Sequence, residues 1–287
     1  MGTGQAAEPV WGDKLYQKRA RAALPILVRQ AIANETIIYS DLAQEIDMPN
    51  PRNLNYVLGS IGETLKIVST NWETDIPPIN CLVINKNTQL PGDGVYVFVD
   101  DVNNYKNLSL NQKRDIVKKE LVKIFTFSRW NEVLAYLDLP PAQNPDYSHH
   151  LRAIARGNYG VGESQAHQKF KEFVSKNPQV LGLPRSIAPG EVEFMLPSTD
   201  VVDVLFIHGH EWVVAEVKSH ISDLHDIYRG LYQCIKYQAL VEAYQKEIGE
   251  SPNCRVVLVL QGNFPDELNI LKNLLNIEVI DEITIDY

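Results

Sequence analysis

Three residues carry the chemistry this sequence offers: Asp203, Glu216 and Lys218. They lie in two short apolar segments, Val201-Val-Asp-Val-Leu-Phe-Ile207 and Trp212-Val-Val-Ala-Glu-Val-Lys218. Each segment is a strand by composition, and each carries charge where a buried strand should carry none. The connector His208-Gly209-His210 is short enough to make them a hairpin. A two-residue Gly209-His210 loop, with Gly first as a type II′ turn prefers, pairs His208 with Glu211. Counting back along antiparallel partners, Asp203 then faces Glu216, and the side-chain period of two puts Glu216 and Lys218 on that same face. Like charges directly opposed in a sheet are destabilising, and burying them costs more. A divalent cation between the carboxylates removes the conflict, with Lys218 beside it completing the outline of an active site. A three-residue loop would instead set Asp203 opposite Ala215.

These strands need a frame to hold them. Periodicity predicts a helix over 163–177, strands over 191–196, 201–207 and 211–218, a helix from about 221 to 248 and a strand over 255–260. A helix over 265–275 and a strand over 277–280 follow. The order is α-β-β-β-α-β with additions, a mixed sheet covered by helices, and the fold class is α/β (α+β mixed). This domain, 163–287, follows a mainly helical domain at 1–139. Pro140-Pro-Ala-Gln-Asn-Pro and Arg156-Gly-Asn-Tyr-Gly-Val-Gly-Glu-Ser164 mark 140–162 as a linker.

Asp203 followed by Glu216-Val217-Lys218 in this order of elements resembles the PD-(D/E)xK nuclease superfamily. Gln233-Cys-Ile-Lys-Tyr237 on the next helix is similar to the QxxxY motif of its RecB-like branch. The resemblance covers residues 159–260, with Val202 in place of the usual Pro before the Asp. It implies a restriction-endonuclease-like domain that hydrolyses phosphodiesters with Mg²⁺, for which Mn²⁺ can substitute. Asp203 and Glu216 would bind the ion, and the resemblance adds the Val217 carbonyl as third ligand. Mg²⁺ takes oxygen ligands and keeps several waters, so few carboxylates suffice, and bound water becomes more acidic. Lys218 would reach the attacking water or the scissile phosphate. Glu163, at the start of the first helix, matches the acidic residue that completes or orients the metal shell. Gln233 and Tyr237 share one helix face, where they would support Lys218 or touch the nucleic-acid backbone; Arg229, one turn earlier, would pair with phosphate.

Taken alone, Glu216-x-Lys218 reads as a salt-bridged strand end, and the opposed Asp203 is what tips the balance. His167, four residues after Glu163, could contact the site or simply pack, and Glu193 could point at it from the first strand. His208, His210, His220 and His225 match no zinc spacing, and Gly157, Gly160 and Gly162 form no phosphate loop. Cys81, Cys234 and Cys254 suit neither a disulfide framework nor a CxxC site.

In the N-terminal domain a helix over 13–34 precedes a strand over 36–39, a Ser40-capped helix over 41–46 and, after Pro49-Asn-Pro-Arg52, a helix over 53–68. This describes a helix-turn-helix of the winged kind. The words "TIIYSDLAQEI…PRNLNYVLGSIGETL" resemble the DNA-binding part of alkylguanine-DNA alkyltransferase-like proteins, and Ile76–Gly94 is similar to that family's active-site segment. The family's Pro-Cys-His-Arg is missing, however, and Cys81 lacks the neighbouring His and Arg, so alkyl transfer is not implied. A strand over 95–99 and helices over 110–126 and 128–137 follow. Lys113, Arg114, Lys118, Lys119 and Lys123 there form either a phosphate-facing patch or a solvated helix face.

Bulk charge gives no basic footprint. The net charge is −9, with 15 Lys+Arg against 17 Asp+Glu in residues 1–150 and 12 against 19 in 151–287. No apolar run suits a membrane span and no secretory signal opens the chain, so a reducing cytoplasm is the plain reading. The expectation is a Mg²⁺-dependent DNA endonuclease whose N-terminal module holds double-stranded DNA, in restriction or phage defence by analogy of arrangement. Cutting both strands with one site per chain would favour a homodimer, and a partner protein could supply positive surface; no membrane is involved. The alternatives are a catalytically silent DNA-binding or regulatory protein on a nuclease fold, and a nuclease for RNA or single strands.

Overall fold

The computed structural model describes residues 7–97, 105–147 and 165–285. The chain forms two compact units, Met1–Pro145 and Asp146–Tyr287, a division that falls inside the stretch rich in proline and polar residues. Among the described residues no helix is long and apolar enough to cross a membrane.

The N-terminal unit is built on α1 (Leu15–Ala33), α2 (Tyr39–Glu45) and α3 (Leu54–Trp72), followed by α4 (Leu110–Thr126) and α5 (Trp130–Tyr136). In α1 the residues Ala20, Ala23, Leu24, Leu27, Val28 and Ala31 fall on one stripe and are fully buried. The apolar stripe of α3, Leu54, Val57, Ile61, Leu65 and Val68, joins the same core. A two-pronged pair between Arg29 and Glu45, at 2.8 and 2.9 Å and nearly excluded from solvent, ties α1 to α2.

Three expectations for this unit change. The strand at 36–39 shrinks to β1 (Ile37–Ile38), because α2 already begins at Tyr39; Ile38 is the N-cap and Ser40 caps nothing. β1 pairs in parallel with β2 (Val83–Ile84), two residues too short to signal themselves by alternation. The strand expected at 95–99 is instead a 3-10 turn over Asp93–Val97, as far as the described residues reach. Pro91-Gly92-Asp93-Gly94 bends the chain there, and Val95 is buried without strand pairing.

In the C-terminal unit α6 (Gln165–Lys176) precedes β3 (Glu191–Met195), β4 (Val201–His208) and β5 (Glu211–Lys218). Then come α7 (Leu224–Glu247), β6 (Cys254–Leu260), α8 (Asn269–Leu274) and β7 (Glu278–Ile280). The five strands form one mixed sheet in the order β3-β4-β5-β6-β7, antiparallel as far as β5 and parallel beyond it. α7 is the crossover that a parallel β5–β6 pair requires. One face of the sheet, with Trp212, Val214 and Leu258, packs on Leu231, Cys234 and Tyr237 of α7. The other, with Val213, Ala215 and Val217, packs on Phe170 and Val174 of α6. Covered on both faces, β5 is buried from Trp212 to Val217.

Candidate active site

The β4–β5 hairpin has the register that a two-residue turn requires. His208 pairs with Glu211 and the ladder runs through Ile207↔Trp212 to Val204↔Ala215. Gly209 sits at φ +62° while His210 keeps a negative φ, the II′ pattern in which only the first position needs a residue without a Cβ. One step further the same register would set Asp203 opposite Glu216, and the two side chains do interact.

At that step the ladder stops and the strands part. The Val217 N–H, which would otherwise continue the pairing, donates to Asp203 Oδ2 at 2.8 Å. Asp203 therefore occupies a fork between β4 and β5. This differs from the simple alternation that placed it on the Glu216 face, and the core explains why. Val204 and Phe206 belong to the α6 side and Leu205 to the α7 side, so alternation would put Val202 with α6; it packs on the α7 side. The strand changes face at Asp203. In β3 the same happens at Glu193: Val192 pairs with Val204 and Phe194 with Val202, while Glu193, across from Asp203, has φ +57° and makes no ladder pair. A left-handed glutamate within a strand is strained by about 1–3 kcal/mol and persists only where its surroundings enforce it.

Glu216 is 2% exposed on the α7 face. Burial pushes its carboxyl up to about 7, with Asp203 adding to the effect and Lys218 opposing it. Lys218 Nζ donates to Glu216 Oε1 at 2.6 Å and to Gln233 Oε1 at 3.2 Å. Burial alone would depress the Lys218 ammonium, but the neighbouring carboxylates Glu216 and Asp203 outweigh it and hold the ammonium above its ordinary value.

The helix residues divide. Gln233 reaches Lys218, as just described. Tyr237 instead donates its hydroxyl to the Val201 carbonyl at 2.9 Å, anchoring the start of β4 to α7. Arg229 is partly exposed and lies 4.0 Å from Asp226. Glu163 lies outside the described residues. His167 Nε2 is 3.8 Å from Asp203 Oδ2.

Two residues that the sequence reading passed over belong here. Lys171 of α6, 5% exposed, donates to Glu193 Oε1 at 2.9 Å and lies 3.4 Å from Asp203 Oδ1. Its signal was its position at His167+4 beside the apolar Phe170 and Val174. Gly230, inside α7, makes room for Lys218: a Cβ there would stand 2.9 Å from Lys218 Cε and 2.9 Å from Leu258 Cδ1. A glycine in a helix interior costs about 1 kcal/mol against alanine, so its presence in the pattern points to a packing need.

The donors suit a hard divalent cation. Asp203 and Glu216 bring two carboxylates together beside the fork, where the Val217 N–H meets Asp203; in an extended strand the carbonyl of the same residue shares the edge of its N–H, so Val217 would offer a further oxygen. All are oxygens, as Mg²⁺ or Mn²⁺ requires. Among the described residues no group of three or more His, Cys, Asp and Glu is arranged around one point. Elsewhere Cys81 is fully buried, and burial raises its thiol well above the usual range, so it stays protonated. Of the basic cluster on α4, Lys113 is engaged with Asp93 at 3.0 Å and with the Tyr105 ring, Lys123 pairs with Glu120, and Arg114, Lys118 and Lys119 are exposed.

No protein-family model matches the chain, and no curated protein does. Among solved structures, it is similar to the crystal structure of a repair endonuclease from Pyrococcus abyssi, at 23% identity over 43% of this chain and 49% of that one, TM-score 0.30. It is also similar to the structure of an EndoMS–dsDNA2 complex, at 22% identity over 44% of this chain and 48% of that one, TM-score 0.28. The chain thus spans about half the length of the structures it matches.

Proposed function

We propose that the C-terminal unit is a divalent-cation-dependent nuclease that hydrolyses DNA phosphodiesters as an endonuclease. The observation that carries this reading is the β4–β5 fork, which brings Asp203 against Glu216 with the Lys218 ammonium 2.6 Å from the latter. Asp203, Glu216 and the Val217 carbonyl would hold Mg²⁺ or Mn²⁺, which when bound polarises a phosphoryl oxygen and makes bound water more acidic. The chain's own residues do the rest. Lys218, steered by Glu216 and Gln233 and given space by Gly230, offers an ammonium to a non-bridging or leaving oxygen where charge develops. Tyr237 fixes the strand that carries Asp203. Glu163 would complete or orient the metal shell, and Arg229 would meet backbone phosphate. The N-terminal unit would hold the duplex, with Arg114, Lys118 and Lys119 as its phosphate contacts, in a protein of restriction or phage defence that acts as a homodimer when both strands are cut.

Cleavage of plasmid, linear duplex, single strands and RNA with Mg²⁺ or Mn²⁺, beside Asp203→Ala and Lys218→Ala, is the test. Loss of about 10²–10³-fold or more in rate for each variant is expected. Equal cleavage by wild type and both variants refutes the assignment. One observation favours a second reading: Glu216 and Asp203 each already face a lysine ammonium, which suits a silent nuclease fold used for DNA binding. Calorimetry that detects no Mg²⁺ or Mn²⁺ binding would select it.

A further inference from the structure

Asp203 has a cation beside it that the reaction outlined above does not use. Lys171 reaches across from α6, buried except for about a twentieth of its surface, and places Nζ 3.4 Å from Asp203 Oδ1. Its shorter contact, 2.9 Å, is to Glu193 Oε1, whose side chain is 53% exposed. Glu193 stands across β3–β4 from Asp203 with φ +57°, in a strand that shifts face at this residue. The three acids Glu193, Asp203 and Glu216 therefore lie in one row across three strands. One lysine serves Glu193 and Asp203, and another serves Glu216.

We propose that Lys171 is a resident counter-ion of Asp203 that an incoming divalent cation displaces toward Glu193, so that Lys171 and Glu193 together set how tightly the site takes metal. The proposal rests on the metal-binding reading of Asp203 and Glu216. Its physical basis is simple. An ammonium 3.4 Å from one oxygen of a ligand carboxylate repels a second cation on that carboxylate. A lysine on a flexible four-carbon stem can yield by a small swing. Glu193 is the acceptor for that swing: it is already bonded to the ammonium, and its carboxylate reaches solvent. The left-handed backbone at Glu193 is the local conformation that accompanies this placement. Lys171 is thus a positioning residue for Asp203, and Glu193 its counterpart.

Titration with Mn²⁺ alone, by calorimetry on the full chain, separates the possibilities. Lys171→Met should bind Mn²⁺ more tightly than wild type, by about tenfold or more, because the competing charge is gone. Glu193→Gln should bind it more weakly, because the Lys171 ammonium then leans more heavily on Asp203. Glu193→Gly should match Glu193→Gln in Mn²⁺ affinity while unfolding less readily, since glycine removes the backbone strain along with the carboxylate. These opposite signs are not what a merely structural ion pair yields, where both single variants would weaken binding alike. Equal or weaker Mn²⁺ binding by a folded Lys171→Met overturns the counter-ion role. If that variant does not fold, unchanged or tighter binding by Glu193→Gln overturns it. Absence of Mn²⁺ binding by wild type, or its persistence in Asp203→Asn, fails the metal reading instead.

Discussion

The buried pair Glu216–Lys218 should make the stability of the C-terminal sheet fall with rising pH in the absence of divalent ions. Glu216 has an ordinary carboxyl value of 4.5, and burial lifts it in the folded chain to about 7. The folded state therefore holds a proton on this group over a range where the unfolded chain has lost it. Stability from the protonated carboxyl is fully present below pH 4.5 and is lost as pH rises through about 7. About 2.5 units at 1.36 kcal/mol each gives roughly 3 kcal/mol at most. Glu216 is only 2% exposed, so solvent does little to dilute the effect. The double substitution Glu216→Gln with Lys218→Met removes both charges at once, which avoids stranding Lys218 as an uncompensated buried cation. Native-state hydrogen exchange at the β5 amides of Val213, Val214 and Ala215, in chelator between pH 5 and 8, reads the sheet's local free energy. Wild type should lose roughly 2–2.5 kcal/mol relative to the double variant across that range, since part of the loss has already occurred by pH 5. A flat difference, or a wild type that gains stability, refutes the account of Glu216 as a carboxyl held neutral by burial.

On the proposed nuclease reading, Gly230→Ala should lower turnover while leaving DNA affinity within about twofold, because the new Cβ meets the Lys218 stem; steady-state cleavage beside a binding isotherm separates the two. Tyr237→Phe should cost about 1 kcal/mol in urea unfolding by freeing the Val201 carbonyl, and its activity loss should shrink at low temperature if the strand is merely loosened. Arg29→Met should destabilise the N-terminal unit by about 3–5 kcal/mol, since it strips the buried Glu45 carboxylate of its two-pronged guanidinium partner; differential unfolding of the two units would then separate in denaturant.

The sequence spoke most clearly where one local device fixes long-range geometry. Gly209 dictates the turn, the turn dictates the register, and the register brings Asp203 to Glu216. It spoke least where tertiary packing overrides alternation. Nothing in Val201-Val-Asp-Val marks the change of face at Asp203, which depends on β3 turning with β4 and on Val217 giving its N–H to a side chain. Lys171 and Gly230 were visible as oddities of their helices, but the partner that explains each lies on another element. In the N-terminal unit, β1 and β2 are two residues each and exist by pairing with one another, so neither segment could show a period by itself.

The support for Lys218 follows from the sheet's topology. β5 is the strand at which the sheet passes from antiparallel to parallel pairing. A parallel partner obliges the chain to leave the end of β5 and return by a crossover over one face, and α7 is that crossover. It starts six residues after Lys218, so it must pass directly over the side chains that point to that face, Glu216 and Lys218. On such a helix one position has to clear the lysine stem, and Gly230 does so; a polar residue nearby has to accept from the buried ammonium, and Gln233 does so. On the opposite edge of β5 the antiparallel partner is free to peel away at its start, which opens the fork that holds Asp203. Ligands in open α/β sheets gather at the carboxyl ends of parallel strands for related reasons. Glu193→Val sets a β-branched residue against the left-handed backbone at φ +57° and should therefore destabilise the sheet unless the β3–β4 ladder re-forms, and on the metal reading proposed above a re-formed ladder removes divalent binding. A variant that gained ladder pairing and kept Mn²⁺ affinity would break the link between the fork and the site.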